Sequence, residues 1–158
     1  MYRTPSPELA AALEARLGPL GFARVPVDET AGARGVRGAW LRKTWNTRRG
    51  VLLVRLEGAP ALPAVVEALR AEGERLLGSS WWSQLGLQLV LDVDAVPPEM
   101  TGLVDAVNTQ GVLVQSVFAV DLATGAMRET RTWGQVITGR FQDAIAAVLA
   151  ELAPRNRP

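Results

Sequence analysis

The chain has 158 residues, of which 48% are hydrophobic and 21% charged, with a net charge of +1; this is the profile of one globular domain and not of a disordered chain. Histidine and cysteine are both absent, which excludes a Ser-His-Asp triad, a thiol nucleophile, a Cys/His zinc site and a disulfide. Lys43 is the single lysine beside sixteen arginines and Tyr2 the single tyrosine, so acid–base chemistry falls to carboxylates, chiefly carboxylates that hold a metal.

Ser6-Pro7 reads as a helix start: a hydroxyl for free N–H groups, then a residue whose fixed φ suits the first turn. Leu9, Leu13 and Leu17 recur on one face, and Gly18-Pro19 ends the helix. Phe22, Val25 and Val27 suit a short strand, with Pro26 at an edge or end. Residues 28–38, with Gly32, Gly35 and Gly38, read as a loop. Strands over 39–45 and 50–57 form a hairpin around Asn46-Thr47-Arg48-Arg49, closed by Gly50. Residues 51–54 are apolar on both faces, which predicts a central strand. Residues 60–77 form a helix, with Leu62, Val66 and Leu69 among its inward stripe and Gly78 as its stop. A buried strand over 87–93 breaks at Pro97-Pro98.

The spacing of Met100, Leu103, Val104 and Val107 predicts a short helix over 99–107. Residues 112–121 make a long, almost wholly apolar strand. Ala123-Thr124-Gly125 turns the chain into an edge strand over 126–133, blunted by Arg128, Glu129 and Arg131, with Met127 and Trp133 directed inward. Thr138 opens the last helix, whose core positions are Phe141, Ile145, Val148, Leu149 and Leu152. The order is α-β-β-β-α-β-α-β-β-α. It predicts an α/β protein, bordering on α+β, with a single mixed sheet flanked by helices. The whole chain is one domain, with flexible ends at 1–5 and 154–158.

Charge is unevenly distributed. Residues 24–55 carry eight cations against two acids, or +6, and residues 56–127 carry two cations against nine acids, or −7. Such asymmetry marks an anion-binding face, unless the two regions neutralise each other inside the fold or across a dimer. The stretch from Trp40 to Arg49 joins two indoles to four cations on the hairpin. Arginine forks suit phosphate or carboxylate, and indoles stack on bases or pack under guanidinium groups. Alternation offers a second account: Trp40, Arg42 and Thr44 share one face, Leu41, Lys43 and Trp45 the other, and each tryptophan is a core residue. Trp81-Trp82 cannot both enter one core from an extended segment, so one of them is a partner anchor unless a twisted loop buries both. Trp133, near Gln135 and between Arg131 and Arg140, is a third loop indole. Loops of Trp45, Trp82 and Trp133 that met in space would form an aromatic pocket rimmed by arginine.

Asp92 and Asp94 end a buried strand at i, i+2, a spacing that places both carboxylates on one face, where they could hold Mg²⁺. The alternative is that both face water at the loop to Pro97. No G-x-G-x-x-G follows a strand and no Walker A pattern occurs.

The element order α-β-β-β-α-β over about residues 6–93 resembles that of the restriction-endonuclease-like core. The resemblance implies an acid on one strand and an acid-x-Lys pair on the next, together holding magnesium. The matching strand, Val51-Leu52-Leu53-Val54-Arg55-Leu56-Glu57, offers Glu57 but no acid-x-Lys, and Lys43 falls on the preceding strand. The expectation is therefore a non-catalytic binding or adaptor module of bacterial type, cytoplasmic, without a membrane segment or cofactor. It acts as a homodimer through Arg42, Trp45, Arg48, Arg49, Trp82 and Trp133. The alternative is a nucleic-acid-binding or degenerate nuclease protein, with Asp92, Asp94 or Glu57 as Mg²⁺ ligands.

Overall fold

Strands that are apolar on both sides need cover on both sides, and so belong at the centre of a sheet. Arg48–Leu56 (β3), Leu85–Val93 (β4) and Val112–Asp121 (β5) are such strands. The computed structural model, which describes residues 6–79, 83–105, 111–132 and 136–153, sets them side by side and parallel. Ala23–Arg24 (β1) and Val36–Lys43 (β2) continue the sheet antiparallel beyond β3, and Ala126–Arg131 (β6) antiparallel beyond β5. The strand order is thus β1 through β6 without interruption.

Helices cover both faces. Ser6–Leu17 (α1) and Val136–Leu152 (α4) lie on one, and Glu29–Ala33 (α2) and Leu62–Leu77 (α3) on the other. Strand alternation sorts the core accordingly. Leu52, Val54, Leu87, Leu89 and Val114 point toward α3, while Val51, Leu53, Val90, Phe118 and Val120 point toward α1 and α4. Each such side chain contributes roughly 1.5–3 kcal/mol when fully buried. Phe22 meets Phe141 edge-on at 5.0 Å and fixes α4 over the β1 end of the sheet. Among the described residues no helix is long and apolar enough to cross a membrane.

The α/β class and the single mixed sheet agree with the sequence, and the strands and long helices follow in the expected order. Several local features differ. The expected loop at 28–38 contains α2, because the Asp28 carboxylate accepts the Ala31 amide at 2.9 Å and caps a helix, and β2 then starts at Val36. Residues 99–105 form bends and a turn rather than a helix. Gly102 there takes φ +79, which breaks helical hydrogen bonding. Met100 and Leu103 are buried on the α3 side all the same, and Asp105 ties the segment down by pairing with Arg70 and accepting the Val114 amide at 2.8 Å. Residues 106–107 and the two ends lie outside the described residues. Met127, expected inside, is exposed on the edge strand β6.

Gly35 turns the chain into β2 at φ +93, and its carbonyl accepts the Arg55 amide at 2.8 Å. A Cβ there would overlap the Arg55 carbonyl oxygen. Gly35→Ala therefore lowers stability by about 2 kcal/mol in urea unfolding. Gly32→Ala, on α2 with open space around it, leaves stability unchanged or raises it by up to about 1 kcal/mol.

Acid sensitivity follows from the same corner. Hydrogen bonds from Arg75, at 2.6 and 2.9 Å, and from the Ala31 amide hold the Asp28 carboxyl at about 2, below its ordinary 3.8. A lowered folded pKa gives stability that is complete above the unfolded value and lost as pH falls through the folded one. Asp28→Asn accordingly flattens the stability profile between about pH 4 and pH 2, read from melts across that range.

Candidate anion-binding site

The hairpin turn closes two residues earlier than the sequence suggests. The Thr44 amide donates to the Thr47 carbonyl at 2.9 Å, the Thr47 amide to Thr44 Oγ1 at 3.1 Å, and the two hydroxyls bond to each other. Residues 44–47 are the turn, so Arg48 and Arg49 belong to β3 and not to the loop. Successive strand residues face opposite sides of a sheet. Arg42 lies directly opposite Arg49, and Lys43 opposite Arg48. The four cations therefore split into two cross-strand pairs, Arg42 with Arg49 on the α4 face and Lys43 with Arg48 on the α3 face. The two indoles also part. Trp40 is fully buried on the α1 side, with the Arg24 guanidinium 5.8 Å from its ring centroid. Trp45, in the turn, is 90% exposed.

Each arginine is held differently. Arg48 donates to the Leu77 carbonyl at 2.7 Å and closes the C-terminus of α3. The Arg42 guanidinium lies 5.2 Å from the Phe141 ring centroid, and its stem passes Gly21. Arg49 donates through Nη1 to the Arg48 carbonyl at 3.0 Å and through Nε to Thr138 Oγ1 at 3.4 Å. Its stem crosses β4 at Gly86, where a Cβ would stand 2.9 Å from Arg49 Cδ and overlap Gln115 Oε1. Burial lowers the Arg49 pKa, and the neighbouring charge of Arg42 lowers it further.

Beside Arg49 lies a buried polar network. Gln88 Nε2 donates to Gln115 Oε1 at 2.8 Å, the Ser116 hydroxyl donates to Gln88 Oε1, and Gln142 Nε2 donates to the Gln115 carbonyl at 3.2 Å. A register shift in the β4–β5 pairing after Leu87 brings Gln115 and Ser116 into this group. The residue-by-residue reading missed the network. The available signal was a glutamine inside each of two strands otherwise apolar throughout.

Seven of the ten described arginines elsewhere meet an acid: Arg16 meets Glu151, Arg24 Glu14, Arg34 Glu72, Arg55 Asp94, Arg70 Asp105, Arg75 Asp28 and Glu72, and Arg131 Asp143 and Glu129; Arg37, Arg128 and Arg140 meet no described one. Among the described residues, Arg42, Lys43, Arg48 and Arg49 meet no carboxylate.

The acidic candidates lie at the other end of the sheet, about 26 Å away along β3 at ~3.3 Å per residue. Asp92 is buried, while Asp94 follows the end of β4, pairs with Arg55 and accepts the Gly58 amide at 2.8 Å. Glu57 is exposed just after β3. Among the described residues no three acidic side chains gather where a metal ion could be held. Trp82 and Trp133, like Trp81 and Gln135, lie outside the described residues. Their described neighbours border the hairpin end: Leu85 is paired with Arg48, and the Thr132 amide donates to the Gln115 carbonyl at 2.8 Å. Compared with protein-family models, with curated proteins and with solved structures, the chain matches none.

The polar network gives a direct stability test. Gln88→Leu keeps the volume but leaves the Ser116 hydroxyl and the Gln115 carboxamide without their partner, at a cost of about 2 kcal/mol in urea unfolding. An unchanged midpoint would show that the network is not a stabilising element.

Proposed function

We propose that this protein is a non-catalytic binding module, an interaction or adaptor protein, that engages an acidic partner surface through its hairpin end. The observation that carries the reading is that four cations cluster on the hairpin in two cross-strand pairs and none meets a carboxylate among the described residues, whereas seven of the ten other described arginines do. Uncompensated guanidinium groups attract and orient anions. The exposed Trp45 is held at the tip by the Thr44–Thr47 bonds and adds the rigid aromatic contact that interfaces favour. The absence of imidazole and thiol supports holding over transforming. A second copy of the chain is one such partner, since residues 56–127 carry −7 against the +6 of residues 24–55; light scattering reads that homodimer directly.

A second reading, nucleic-acid binding, is favoured by one feature: an exposed indole flanked by cations suits base stacking next to phosphates. Fluorescence anisotropy with a labelled oligoglutamate peptide and a labelled single-stranded oligonucleotide separates the two. The peptide binds, and binding weakens as salt rises. Trp45→Ala, and Lys43→Gln with Arg48→Gln, each reduce affinity by about tenfold, a loss of roughly 1.4 kcal/mol. Preference for the oligonucleotide by tenfold or more at equal charge replaces the first reading with the second. Failure of both probes to bind overturns both.

A further inference from the structure

We infer that Arg42 and Arg49 seat a phosphoryl dianion between the sheet and the start of α4, an inference that rests on the hairpin end being anion-binding and adds a specific site to it. Three observations carry it.

The two guanidinium groups belong to directly opposed residues of neighbouring strands, on the same face, and both are half-buried. Like charges so placed repel, and partial burial strengthens the repulsion by lowering the local dielectric. No carboxylate relieves it among the described residues.

The donors are also left over. An arginine has five N–H donors. Arg49 uses Nη1 and Nε toward described residues, and Arg42 is held there by the Phe141 ring face alone. Two forks with free donors suit an oxyanion having at least three acceptor oxygens, and two positive charges match a dianion better than a single carboxylate.

The placement is built rather than incidental. Gly86 is the residue that lets the Arg49 stem cross β4, while Thr138 and Phe141, one turn apart on α4, fix the two heads.

The phosphoryl group can be free or esterified, and calorimetric titration at constant ionic strength with inorganic phosphate and with phenyl phosphate tells these apart. One saturable site is expected, with a dissociation constant of about 1 mM or tighter. Arg42→Gln and Arg49→Gln each weaken it at least about tenfold. Arg128→Gln removes the same charge from the exposed edge strand β6, outside the hairpin, and changes it less than about threefold. Arg49→Lys keeps the charge but loses the fork; it gives an intermediate loss and guards against a folding defect in the glutamine variant. Binding of phosphate alone assigns a free anion, and binding of phenyl phosphate assigns an esterified one. No saturable binding of either, or an equal loss in Arg128→Gln, overturns the site. Oligoglutamate binding that survives such a failure would leave the broader reading of the hairpin end in place.

Discussion

The chemistry of the hairpin end depends on the parity of one short turn. With residues 44–47 as the loop, Arg49 and Arg42 project together toward α4, and Arg48 projects toward α3. A slip of one residue in β3 would exchange the faces of every side chain that follows. Val51 and Leu53 would leave the core under α1 and α4, and Leu52 and Val54 would leave the core under α3. Both faces are fully apolar there, so hydrophobicity alone does not forbid the slip. What sets the register is local: the Thr44–Thr47 bonds close the turn, and Gly50 fits where Leu77 and Leu85 leave no room for a Cβ. The turn chemistry of two threonines thereby decides which arginine becomes a structural tie and which stands at a candidate ligand site.

Those two fates illustrate how the same side chain serves opposite ends. Arg48 neutralises the carbonyl end of α3, a contact satisfied inside the fold. Arg55, at the far end of β3, bonds the Leu56 and Asp92 carbonyls and pairs with Asp94, locking the ends of β3 and β4. Arg49 has the desolvation of a buried group with no acid among the described residues to offset it. The fold instead sets neutral dipoles beside it: Thr138 at its Nε, and Gln115, whose carboxamide and the Arg49 stem both approach Gly86 and which Gln88 in turn bonds. Neutral amides satisfy one another without cancelling the positive charge. An acid in their place would form an internal ion pair and leave no attraction for an outside anion.

Much of the architecture was legible because apolar periodicity is a strong signal. Residues 51–54 and 112–121 could only be central strands, and the leucine stripe of 60–77 could only be a helix of one buried face. The helix expected at 99–107 was not legible for a related reason. The spacing of Met100 and Leu103 reports burial, and burial does not require a helix where an irregular crossover passes over the same core. At the site, residue type was readable and orientation was not. Arg42, Trp45, Arg48 and Arg49 stood out in the sequence as one cluster. Their division between two faces depends on a turn held by hydroxyl bonds, which hydrophobic patterning does not register. The Asp92–Asp94 spacing likewise implied a common face. That geometry needs a strand through both residues, and β4 ends at Val93.

The parallel centre of the sheet separates the molecule into two chemically distinct ends. At the C-terminal ends of β3, β4 and β5 the loop contacts are internal: Asp94 binds Arg55 and the Gly58 amide, and Asp121 accepts the amides of Ala123 and Thr124 at its turn. Those carboxylates are engaged by the scaffold itself. At the N-terminal ends of the same strands the cations meet no acid among the described residues. In an open α/β sheet the C-terminal strand ends are the usual place for a ligand, and the acidic pair there drew attention for that reason. In this fold the satisfied end is the C-terminal one, and the end with unused donors, an exposed indole and a half-desolvated guanidinium is the other. The proposed site therefore rests on local electrostatic balance and not on the general rule for the fold class.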